Sequence, residues 1–127
     1  MEKETRPFIP WQLADDFMTA VFEKVGVPEA DARLCSDVLL ESDRRGIESH
    51  GCNRFKPIYI DRIKAGILNP VTKIDIIKET PTTAVIDAND GMGMVASKKA
   101  MDMCNRERRG CMLWYFQGKQ CNCPCRL

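Results

Sequence analysis

His50 is the only histidine in the chain. It lies in the polar stretch Gly46-Ile47-Glu48-Ser49-His50-Gly51, beside a serine, between glycines and off any apolar helical face. An imidazole takes and gives protons near neutral pH, which makes His50 a candidate acid/base. Arg54 follows four residues on. If a helix begins at His50 or just after it, the two side chains share a face. A guanidinium placed there can grip a carboxylate through two parallel hydrogen bonds. A proton donor and a carboxylate clamp on one turn suit a substrate whose carboxylate adjoins a carbonyl or hydroxyl. The competing reading is a surface histidine, with Arg54 solvated or paired with Glu48 or Asp61.

Three other constellations invite chemistry and fall short of it. Gly91-Met92-Gly93, with Ala96 in the third position, partly matches a dinucleotide fingerprint, but the acidic residue expected about 20 positions later is missing. A turn leading into a helix explains it more simply. Cys121, Cys123 and Cys125 alternate along the chain end. That spacing differs from the paired C-x₂₋₄-C of structural zinc and turns successive thiols to opposite sides of an extended chain. No metal site is expected. The basic runs Arg44-Arg45 and Arg106, Arg108, Arg109 are offset by Glu41, Asp43, Glu48 and Glu107, so they read as solvated helix ends.

The elements that must position these residues can be read from periodicity. Ala14, Phe17, Met18, Val21, Phe22 and Val25 follow one face of a first helix, closed by Gly26 and Pro28. Pro28 opens a second helix, with Leu34, Cys35, Val38, Leu39 and Ser42 as its stripe and Gly46 as its stop. A third is expected from about Asn53 to Ala65, carrying Phe55, Ile58, Tyr59, Arg62 and Ile63 on one face, with Pro57 tolerable only in the first turn. The period then changes. Lys73-Ile74-Asp75-Ile76 and Thr82-Thr83-Ala84-Val85-Ile86 read as a β-hairpin or two consecutive strands. Asn89-Asp90-Gly91 signals a turn, and a fourth helix runs from about Met94 to Arg108. Cys111 to Leu127 shows no usable period. The fold class is therefore α/β: N-terminal helices, a short strand pair, and a helix.

The 127 residues fit one small domain with a modest core. A hydrophobic share of 44%, a charged share of 29% and a net charge of +1 describe a globular chain, with nothing that calls for nucleic acid or an acidic membrane as partner. No apolar run approaches the roughly 20 residues of a membrane span. The charged start, Met1 to Arg6, lacks the apolar stretch of a secretory signal, so a cytoplasmic location is expected. The cysteines number seven, an odd count. Without a secretory signal they are expected as free thiols.

The run Glu41-Ser42-Asp43-Arg44-Arg45-Gly46-Ile47-Glu48-Ser49-His50-Gly51 is followed by Arg54-Phe55, by Tyr59-Ile60-Asp61-Arg62-Ile63-Lys64-Ala65-Gly66, and by Asn69-Pro70. This ordered set resembles the signature of the malate/L-lactate dehydrogenase family, which also holds sulfolactate and ureidoglycolate dehydrogenases. Gly26-Val27-Pro28, Ala84-Val85-Ile86-Asp87, Gly91-Met92-Gly93 and Ala100-Met101 fit as well. The resemblance covers roughly Trp11 to Gly110 and implies an NAD- or NADP-dependent oxidoreductase of 2-hydroxy and 2-oxo acids. It implies a fold distinct from the ordinary Rossmann domain and a homodimeric or larger assembly. It gives His50 the acid/base role, puts Ser49 beside it in the active site and makes Arg54 the substrate-carboxylate clamp. Cofactor-binding residues are not identifiable here, because the family places most of them beyond position 110.

On this reading residues 1–110 form an N-terminal segment of the dehydrogenase fold, with a helical part at 10–66 and an α/β part at 72–110. Residues 111–127 form a Cys-rich tail that departs from the family pattern and reads like out-of-frame translation or an unrelated splice. The chain is expected to be too short for the whole enzyme and inactive alone, its strands short of sheet partners and prone to self-association. The alternatives are a non-catalytic helical interaction module, discriminated by cofactor binding, and a small metal- or nucleic-acid-binding domain, discriminated by bound zinc.

Overall fold

Pro10 and Pro28 each stand immediately before a helix, where a fixed φ is suited to the entry and no amide is needed. The computed structural model of the chain describes residues 8–81, 83–106 and 114–116. Helix α1 spans Trp11–Lys24 and α2 spans Glu29–Arg44. They pack on each other, and the Ser36 hydroxyl donates to the Asp15 carboxylate across the seam at 2.6 Å.

Met18 and Phe22 of α1 meet Ala32, Cys35, Leu39 and Leu40 of α2, joined by Ile60, Met92 and Val95. Two residues assigned to the buried stripes lie outside them. Phe17 is exposed, touching only the rim of the core through an edge contact with Phe55, and Val38 is exposed on α2. The buried face of α2 runs through Ala32, Cys35, Ser36, Leu39 and Leu40. It is rotated from the apolar stripe, with Ser36 on the covered side bonded to Asp15 and Val38 off it.

The expected third α-helix is instead a chain of tighter and wider turns. Two 3₁₀ turns, Glu48–His50 and Cys52–Arg54, lead into a π-helical stretch at Phe55–Ile60 and a short α3 at Asp61–Lys64. Pro57 explains the change. Its ring crowds the carbonyl one turn back and it offers no N–H to the α ladder, while the wider π turn gives it room.

Strand β1 (Asp75–Glu79) pairs antiparallel with β2 (Ala84–Asp87) as a hairpin, with an irregularity between Ile76 and Lys78. Thr80 closes the turn: its hydroxyl accepts the Thr83 amide at 2.9 Å. The expected alternation at residues 73–76 does not produce a buried face, since every residue of β1 is exposed. Helix α4 follows at Gly93–Arg106; the expected extension to Arg108 lies outside the described residues. The tail, which shows no usable period in sequence, contributes a strand. Trp114–Phe116 forms β3, parallel to β2, giving the order β1-β2-β3. Consecutive aromatics favour a strand, and three residues are too few to show a period. Strand β2 thus has partners on both sides, while β1 and β3 are the edges of this small sheet. Cys121, Cys123 and Cys125 lie outside the described residues.

Asn69-Pro70 joins the helical and α/β parts. The Asn69 side chain donates to the Asn89 carbonyl at 2.5 Å and its backbone amide to the Asp90 carbonyl at 2.8 Å. Asn89 and Asp90 have φ values of 52° and 54°. Asn and Asp tolerate that left-handed region, and two such residues in succession make a tight turn. Among the described residues no helix is long and apolar enough to cross a membrane.

Candidate active site

The site is built where α2 stops. Gly46 has a φ of 76°. Its amide donates to the Asp43 carbonyl at 2.9 Å and the Ile47 amide to the Ser42 carbonyl at 2.8 Å, the paired bonds of a Schellman cap. Only glycine adopts that conformation at little cost. The reversal throws Glu48–His50 back toward the last turn of α2. There Gly51 is buried against Asp43. The Asp43 carboxylate accepts the Cys52 amide at 2.8 Å, capping the second 3₁₀ turn.

Ser49 joins the two candidate functional groups. Its hydroxyl lies 2.9 Å from Nδ1 of His50, and its carbonyl accepts Nε of Arg54 at 2.5 Å. His50 is part-buried and, among the described residues, Nε2 makes no hydrogen bond. The hydroxyl can donate to Nδ1, leaving Nε2 protonated, or accept from it, leaving Nε2 free to take a proton. The contact with Ser49 is thus compatible with either protonation state of Nε2. Arg54 is pinned by Nε, so its two Nη groups remain for an end-on pair of bonds to a carboxylate. Neither anticipated ion pair forms: no bridge joins Arg54 to Glu48, and Asp61 pairs with Lys56 at 3.0 Å.

His50 and Arg54 do not sit at i and i+4 on one helix. Gly51, with φ −94° and ψ −146°, is extended and separates the two 3₁₀ turns. The two are connected through Ser49, a link that spacing alone does not reveal. By charge balance Asp43 is one acid offsetting the neighbouring arginines, and in the family resemblance it is part of the signature run. In fact Arg44 and Arg45 pair with Glu41, at 3.3 and 2.7 Å. The Arg45 hydrogen bond, aided by both positive charges, holds the Glu41 carboxyl below its usual range. Asp43 is left to the loop.

Gly91-Met92-Gly93 is not a phosphate cradle. The Gly91 amide donates to the Ala88 carbonyl, the Met92 amide donates to the Thr72 hydroxyl at 2.9 Å, and the Met92 side chain is buried. A Cβ on Gly91 would fall 2.8 Å from both the Ala88 carbonyl oxygen and the Thr72 methyl, so this glycine serves close packing. This turn therefore offers no pyrophosphate cradle among the described residues. Nor do these residues contain a cluster of three or more metal-ligating side chains.

Cys35 and Cys52 are free thiols, each pushed up to about 12. Burial dominates in both, reinforced by Asp31 at Cys35 and by hydrogen bonding to Asp43 at Cys52. Their unfolded value is 9.0. The neutral thiols therefore contribute stability fully below that value and lose it as pH rises toward about 12. At about pH 8, where thiolate is the reactive form, iodoacetamide should leave the Cys35 and Cys52 peptides unmodified in the native chain and label them in denaturant. Rapid native labelling, read by peptide mass mapping, would contradict this packing.

The chain belongs to the malate/L-lactate dehydrogenase family, matching it over residues 9–112. It is 46% identical over 89 residues to the L-sulfolactate dehydrogenase of Methanocaldococcus jannaschii, covering 70% of this chain and 26% of that protein. It is 41% identical over 101 residues to the malate dehydrogenase of Pyrococcus abyssi, covering 80% and 28%. The crystal structure of malate dehydrogenase from Entamoeba histolytica superposes with a TM-score of 0.75 at 42% identity, over 80% of this chain and 28% of that one. The chain thus spans between a quarter and a third of the length of these relatives, all of which are dehydrogenases.

Proposed function

We propose that residues 48–54 form the proton-transfer and carboxylate-binding part of an oxidoreductase acting on 2-hydroxy and 2-oxo acids of the malate, lactate or sulfolactate type. The observation that carries the reading is Ser49, which ties the imidazole through its hydroxyl and the guanidinium through its carbonyl. In oxidation, Nε2 of His50 takes the hydroxyl proton of the substrate. In reduction it returns that proton to the carbonyl oxygen, while Ser49 supports whichever tautomer is present. The Nη groups of Arg54 hold the carboxylate end-on and so fix which oxygen meets the imidazole. Family membership points to NAD or NADP as hydride carrier, with most of the residues that bind it beyond position 110. It also points to a fold distinct from the ordinary Rossmann domain, a homodimer and a cytoplasmic location. By itself the 127-residue chain should give no turnover. A second reading, a helical interaction module without catalysis, is favoured by the exposure of Phe8, Leu13 and Phe17.

The test is a chimera in which residues 9–112 replace the matching segment of the L-sulfolactate dehydrogenase of M. jannaschii. Oxidation of sulfolactate and malate by the folded chimera supports the proposal, and a folded, nucleotide-binding chimera without turnover refutes it. In the active chimera, Arg54→Lys should raise KM for the acid by roughly ten- to a hundredfold and leave KM for the nucleotide near its original value. Lysine keeps the charge but loses a charge-assisted bond and the planar fork. An equal rise in both would assign Arg54 to loop architecture alone.

A further inference from the structure

We propose that Asp43 is the positioning residue of this loop, holding Ser49 and His50 in register with Arg54, and that Gly51 is the residue that makes room for it. This rests on the reading of His50 and Arg54 given above. Asp43 belongs to the last turn of α2, whose apolar face is anchored in the core by Leu39 and Leu40. Its carboxylate reaches across the Gly46 reversal and accepts the Cys52 amide at 2.8 Å. The contact is so close that a Cβ on Gly51 would lie 1.6 Å from Oδ1 and 2.2 Å from Cγ. The loop therefore cannot take its position with any side chain at residue 51 unless the carboxylate moves.

The consequence reaches the functional groups by short covalent and hydrogen-bonded steps. Ser49 and His50 immediately precede Gly51, whose carbonyl accepts the Arg54 amide at 3.0 Å. Arg54 in turn returns through Nε to Ser49. Asp43 thus fixes the one extended residue between the two 3₁₀ turns, and that residue sets how the turns are oriented. Its carboxylate is not spent on its basic neighbours, because Glu41 takes both Arg44 and Arg45. Fixing a functional side chain through a rigid supporting residue is what a site needs when small displacements are costly.

The experiment uses the full chain labelled with ¹⁵N. His50 is its only histidine, so the ring nitrogens give one unambiguous set of NMR signals that report the tautomer. In Asp43→Ala, exchange of the Cys52 amide should accelerate about ten- to a hundredfold, the loss expected for a hydrogen bond to a charged acceptor. The His50 ring should shift from the wild-type tautomer ratio, with the far-ultraviolet circular dichroism retained. Asp43→Asn keeps a carbonyl acceptor and should restore both signals. Gly51→Ala should be destabilised, and adding Asp43→Ala to it should relieve the destabilisation. An Asp43→Ala chain whose His50 ring signals match wild type, whatever the Cys52 amide does, would overturn the proposal. So would a double variant less stable than Gly51→Ala alone. Should Asp43→Ala fail to fold, Asp43→Glu decides. The longer side chain keeps the charge but cannot keep the contact without moving the loop, so an unchanged ring spectrum would again overturn the proposal. None of these signals requires substrate or turnover. An inactive chimera would refute the function while leaving this test intact.

Discussion

His50→Ala in the active chimera should lower turnover by ~10²–10⁴-fold, the usual contribution of a positioned general acid/base. Nucleotide binding, followed by fluorescence or calorimetry, should be little changed. The selectivity of the loss follows from the geometry. The imidazole meets its neighbours through Nδ1 alone, at Ser49, and Nε2 is left without a partner among the described residues. Removing the ring therefore deletes the proposed proton carrier without orphaning a buried group. Arg54 keeps its anchor, because that bond goes to the Ser49 carbonyl rather than to the ring. KM for the acid should accordingly rise far less than kcat falls. Ser49→Ala should lie between the two, since it keeps the carbonyl that holds Arg54 and loses only the hydroxyl that sets the tautomer. A chimera retaining near-normal kcat after His50→Ala would remove the histidine from the mechanism, whatever its effect on binding.

The candidate residues were legible in the sequence because they are local. Ser49, His50 and Arg54 lie within six positions, between a glycine that stops α2 and a helical segment that carries the core aromatics. Helices α1 and α2 were legible for the same reason, since Pro10, Gly26, Pro28 and Gly46 mark their ends through backbone preferences that act within a few residues. The rest depends on what approaches through space. Which apolar residues of α1 and α2 are covered is decided by the partner helix, so Phe17 and Val38 remain in solvent while Ser36 is buried. The contact of Asp43 with Gly51 spans eight positions and a chain reversal, and leaves no periodic trace. A glycine after Ser-His was visible, but not the carboxylate that requires it. Pro57 fits the expected third helix only in its first turn, and the π-helical stretch is how the chain accommodates it instead. Strand β3 depends on the free edge of β2 rather than on any pattern in Trp114–Phe116.

Phe22→Ala should destabilise the chain by about 3–5 kcal/mol, the range for emptying a large buried aromatic site. Phe22 is fully buried, with 0% exposure, at the centre of the helical core. It also makes edge-on contacts with Phe55, centroids 5.0 Å apart, and with Tyr59, centroids 6.3 Å apart. Such pairs add about 0.5–1.5 kcal/mol each beyond the apolar area they bury. Both partners lie in the π-helical stretch that follows Arg54 directly, so the cavity would open beneath the segment that carries Arg54. The surrounding backbone cannot easily collapse into it, because Pro57 and the Asp43 contact constrain the segment on either side of Phe55. A small domain has only about 5–15 kcal/mol to lose, and the denaturant midpoint should fall by a large fraction of its original value. Phe17→Ala is the control. Its ring is 61% exposed and reaches Phe55 only at 6.4 Å, so its loss should cost much less. The measurement is chemical denaturation of the full chain and both variants, with the slope checked for two-state behaviour. Equal losses from Phe22→Ala and Phe17→Ala would mean that the helical core is not organised around Phe22. Support for the site would then have to come from the α2 cap and Asp43 alone.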